Sequence, residues 1–90
     1  MGKETILFSS EERAEVQFVA DFLRQLADKL TAGEVIFRQG DQELAVTIPR
    51  QLVLEIKVED EAKRNKTQRS IEVELEWNLG EETNGPLQLG

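Results

Sequence analysis

Cysteine, histidine and tyrosine do not occur in this 90-residue chain. Without cysteine there is no disulfide framework and no thiolate metal site to supplement a modest core. The missing histidine and tyrosine take with them the commonest general base and the usual phenolic acid, leaving carboxylate, lysine and hydroxyl. A glycosidase-like carboxylate pair would need a cleft that one helix on one sheet scarcely forms. The chain is therefore expected not to be an enzyme, with no catalytic residue, metal or cofactor to assign. Long apolar runs are lacking too, none approaching the ~18 residues of a membrane span. Polar residues interrupt Met1-Gly2-Lys3-Glu4-Thr5 at once, unlike a secretory signal, and a cytoplasmic location is the default expectation. A myristoylation motif would need Ser or Thr where Ile6 stands. Basic residues number 11 against 18 acidic ones, and the net charge of −7 disfavours nucleic acid and anionic membranes as general partners.

What is present points to a fold. Ile71-Glu72-Val73-Glu74-Leu75-Glu76-Trp77 alternates apolar and acidic residues and ends on the only tryptophan. A period of two places Ile71, Val73, Leu75 and Trp77 on one face of a strand and the glutamates on the other. A slip of one residue would push carboxylates into the core, so the register is strongly specified and one face is expected to be buried.

Upstream, Thr5-Ile6-Leu7-Phe8 is β-branched, apolar and aromatic, which predicts a strand over about 3–8. Ser9 with Glu12 matches a capping box, so a helix is expected over about 11–31. Its stripe is Val16, Val19, Ala20, Leu23, Leu26, Ala27 and Leu30, with Lys29 in the last turn and Gly33 placed to end it. Strands follow at about 34–39 and 43–48, reversing at Gly40-Asp41. Pro49 closes the second of these, and alternation resumes over 52–59 with Leu54, Ile56 and Val58 facing inward. The charged stretch from Asp60 to Thr67 reads as a loop, and the last strand runs over about 69–79. The breakers and charges of 80–90 predict a disordered tail.

The order β-α-β-β-β-β in a single domain over 1–79 is that of a two-layer α+β fold, one helix packed on a mainly antiparallel sheet. The first strand fits either parallel beside the second or antiparallel along the fifth. The strand Ile71 to Trp77, downstream of Phe22-Leu23-Arg24-Gln25-Leu26-Ala27-Asp28-Lys29-Leu30 and the Gly33-Glu34-Val35 exit, resembles the amphi-Trp domain, a family of small prokaryotic proteins. The resemblance covers roughly Lys3 to Trp77. It implies a prokaryotic source and supports the architecture. The family has no established activity, so no catalytic residues are carried over.

Three groups of side chains stand out. Glu72, Glu74 and Glu76 line an outer face with Glu55 and Glu59; a solvated face is favoured over a cation site, because strand carboxylates project in rows rather than converging. Lys63, Arg64, Lys66 and Arg69 are the one local reversal of charge and a candidate anion contact, although no aromatics are interleaved with them. Phe18 and Phe22 lie four residues apart on the flank of the helical stripe, where they either cover the end of the core or offer a contact site for another chain. The reading that results is a non-enzymatic protein-interaction or assembly module whose partner is another protein or a second copy. Alternatives are a nucleic-acid or phosphate-binding accessory acting through residues 63–69, and a small-molecule binder or enzyme.

Overall fold

The computed structural model of the chain describes residues 2–80, and the expected tail beyond Gly80 lies outside them. One helix precedes four antiparallel strands, so the α+β class stands. Two compact units divide the chain, 1–48 and 49–90.

In the first unit, helix α1 spans Val16–Ala32, β1 Glu34–Gln39 and β2 Gln42–Thr47. Gly33 adopts φ 96°, and its N–H donates to the Lys29 and Leu30 carbonyls, which gives the helix the left-handed terminus that the sequence indicates. Its own carbonyl accepts from the Ile48 N–H at 2.9 Å, tying the helix exit to the far end of β2. Gly40 has φ 58° and Asp41 a negative φ, so the two-residue reversal fits a type II′ turn. Pairing Val35 with Val46 and Phe37 with Leu44 sets these four on one face of the hairpin, with Ile36, Ala45, Arg38 and Glu43 on the other. The first face is the more buried, and α1 packs against β1. Among the described residues Val35, 5% exposed, and Pro49 are the buried ones.

Two expectations for this unit are corrected. Residues 3–8 form no strand, because Phe8 is held instead by its ring, 5.6 Å from that of Phe37, with no backbone ladder. The helix starts at Val16 rather than near 11: Glu15 is the N-cap, no side chain caps it, and no acidic residue occupies the first turn. A capping box contributes only about 1 kcal/mol. Ser9 to Glu15 holds one apolar residue, Ala14, so an extra helical turn there would bury almost nothing.

In the second unit, β3 (Val53–Lys63) pairs with β4 (Lys66–Glu76) in an eleven-rung antiparallel hairpin, separate from the β1–β2 sheet. The expected loop over 60–67 shrinks to Arg64-Asn65, and the strands expected over 52–59 and 69–79 extend toward the turn instead. A two-stranded ribbon leaves both faces open to water, so charged residues cost little in it, and Asp60 and Arg69 pair directly across the ladder. The alternation is as the sequence indicates, with Leu54, Ile56, Val58, Ile71, Val73 and Leu75 sharing a face. That face is not buried: Leu54, Ile56, Val58, Ile71 and Val73 are 57–73% exposed, because strand pairing satisfies the backbone without covering the side chains.

Candidate functional site

A groove of about 530 Å³ lies in the first unit, and all four phenylalanines of the chain line it. The helix supplies Phe18 and Phe22 from one row that continues to Leu26; β1 supplies Phe37, and the irregular N-terminal segment supplies Phe8. The row arises because four-residue steps stay on one helical face. Docking of α1 through Leu26 and Leu30 tips this row toward the strands, while Val16 and Leu23, from the centre of the apolar stripe, remain exposed. Phe18 and Phe22 are 58% and 47% exposed, so neither is absorbed into a core. Glu12, Lys29 and Arg38 also line the groove, with Arg38 bridged to Glu43 at 3.5 Å across the hairpin. Ligand sites commonly occupy ~300–1,000 Å³ and combine apolar walls with a few polar groups, and this groove has that make-up.

The four cations of the candidate anion contact are not brought together. Lys63 and Lys66 face each other across the last rung, and Arg64 stands in the turn. Arg69 lies on the opposite face of the ribbon, where its Nε donates to Asp60 Oδ1 at 2.7 Å and a terminal guanidinium nitrogen donates to Oδ2 at 2.9 Å. That hydrogen bond holds the Asp60 carboxyl below its usual range and raises the guanidinium.

On the outer face, Glu55 pairs with Glu74 across the ladder and Glu76 lies beside them, the three carboxylates all exposed and within 4.8 Å of one another. A hydrogen bond with Glu55 favours the protonated form of Glu74, and the charges of Glu76, Glu55 and Glu72 push its pKa further up. Lys57 pairs outside this trio, reaching Glu59 at 3.8 Å and Glu72 at 3.9 Å. These three carboxylates therefore converge, where the sequence pattern indicated parallel rows, and they do so on a fully exposed surface.

Sequence reasoning located Phe18 and Phe22 but missed Phe8 and Phe37 as their companions. Phe37 falls in the strand expected over 34–39, with no face assigned to it, whereas Phe8 falls in an expected strand that does not form. Among the described residues no helix is long and apolar enough to cross a membrane. No curated protein and no solved structure matches the chain. The model of one family does match, over residues 1–90 and so through both units: the chain belongs to the Amphi-Trp domain family.

Proposed function

We propose that this Amphi-Trp domain chain is a non-enzymatic protein-interaction module, with the groove between α1 and β1 taking an apolar or aromatic side chain of a partner protein. The observation that carries the reading is the gathering of four phenylalanines around one open groove, two of them about half exposed on a helix. Aromatic side chains offer large contact area at small entropic cost, and contact energy concentrates on such anchors. Lys29 and Arg38 beside the aromatic walls favour a segment that carries a carboxylate next to its anchor.

Selection of displayed peptides on the immobilised chain tests this. Enriched sequences should share an aromatic or large aliphatic residue, and Phe18→Lys with Phe22→Lys should abolish their binding while leaving the circular dichroism spectrum in place. Enrichment that survives the double substitution would move the site elsewhere.

The anion reading retains one supporting observation, the like-charged rung of Lys63 and Lys66 beside Arg64 at the hairpin tip. It requires binding that weakens steeply with salt and with removal of those three charges. A groove of this size also suits a small molecule, and competition between such a ligand and the selected peptides would distinguish the two occupants.

A further inference from the structure

The groove leaves unexplained the most regular apolar surface of the chain. On one face of the β3–β4 hairpin, three successive rungs are wholly aliphatic: Leu54 opposite Leu75, Ile56 opposite Val73 and Val58 opposite Ile71. The next rung on that face is Asp60 opposite Arg69, and the one beyond is Ala62 opposite Thr67. From Leu54 to Val58 the aliphatic rungs run about 14 Å, four residue steps at ~3.4 Å each. An isolated two-stranded hairpin is marginal in water, and a soluble protein rarely leaves a contiguous apolar patch of this kind uncovered.

We propose that this face is a self-association surface, on which the hairpin of a second copy of the same chain packs face to face. Charge decides the occupant. The only ions on the face neutralise each other in a two-point pair of 2.7 and 2.9 Å, so it presents no free charge with which to select a charged partner. The opposite face carries Glu55, Glu59, Glu61, Glu72, Glu74 and Glu76 against Lys57, Lys63 and Lys66, and repels its own copy. A two-fold pair therefore turns both acidic faces to water and brings together the two neutral ones. Twelve aliphatic side chains leave water in that arrangement, six from each copy. The ribbon is narrow, which puts the contact toward the small end of specific interfaces, ~1,200 Å² in total, and makes a concentration-dependent dimer the expected form. This inference is independent of the groove, which uses other residues.

Sedimentation equilibrium of the full chain across a dilution series is the first test. The weight-average mass should rise from 10.2 kDa toward twice that value with concentration. Val73→Lys should shift the association midpoint upward by at least about tenfold. Because the chain has no cysteine, single substitutions map the contact directly. A short bis-maleimide should cross-link at least one of Ile56→Cys, Ile71→Cys and Val73→Cys between copies, and should fail with Glu72→Cys and Glu74→Cys on the other face. A wild-type chain that stays at 10.2 kDa overturns the proposal, whether the face is then covered by another part of the same chain or by a different partner. A dimer in which the apolar-face cysteines do not cross-link, or the acidic-face ones do, overturns it as well.

Discussion

Truncating Val35 to alanine tests how the first unit is held together. Val35 is 5% exposed on the face of β1 that packs toward α1, and it faces Val46 across the hairpin. The substitution removes two methyl groups. At ~0.8 kcal/mol of transfer free energy each, with a further contribution from the space left behind, the expected loss is about 2 kcal/mol. A domain of this size has roughly 5–10 kcal/mol in all, so the effect is large. With a urea dependence near ~1 kcal/mol per molar, the midpoint should fall by about 2 M. Ile36 is the control. It loses one more carbon on truncation, but it is 42% exposed on the other face opposite Ala45, so Ile36→Ala should cost about 1 kcal/mol. Urea titration followed by the helical circular dichroism signal reports this unit, since α1 is the only helix among the described residues. A loss from Ile36→Ala equal to or larger than that from Val35→Ala would refute the assignment of the two faces.

Other perturbations have equally definite outcomes. Gly33→Ala meets no atom within 4 Å of the new Cβ, so its cost is that of the left-handed backbone alone, about 1–2 kcal/mol, read from the same titration. Hairpin stability should pass through a maximum in mild acid. Glu74, raised above 4.5, is harder to ionise when folded, so destabilisation present at neutral pH is relieved as pH falls through its folded pKa. Asp60, lowered below 3.8, contributes stability that is lost as pH falls through its own folded value. Glu74→Gln should accordingly raise the thermal midpoint near neutral pH and confer no advantage in acid, and an advantage independent of pH would contradict the cluster. A double-mutant cycle on Asp60 and Arg69 should give a favourable coupling that shrinks with added salt; a salt-independent coupling would count against an exposed ion pair.

Period-two alternation, helix period and turn chemistry are local, and they carried the helix, the alternation along the four strands, the Gly40-Asp41 reversal and the Gly33 terminus. Which apolar faces are covered is not local. The stripe through Val16, Val19 and Leu23 reads as core on a helical wheel, yet α1 docks through Leu26 and Leu30 and leaves Val16 and Leu23 more than half exposed. Ser9 and Glu12 have the right chemistry and spacing for a cap, but the turn they would start has no apolar side chain worth burying. Asp60 to Thr67 looked like a loop because charge was read without its cross-strand partner, and Arg69 supplies that partner nine residues along the chain. The groove was half visible for the same reason: Phe18 and Phe22 share one helix, whereas Phe8 and Phe37 join them only through tertiary contact.

All four phenylalanines line the candidate site, so biosynthetic replacement by 4-fluorophenylalanine places every label there. Fluorine NMR of that chain during titration with a peptide selected on the unlabelled protein tests the central claim most directly. The account predicts that all four resonances shift or broaden with one common dissociation constant. Saturable peptide binding that leaves the four resonances where they were would place the interaction surface elsewhere.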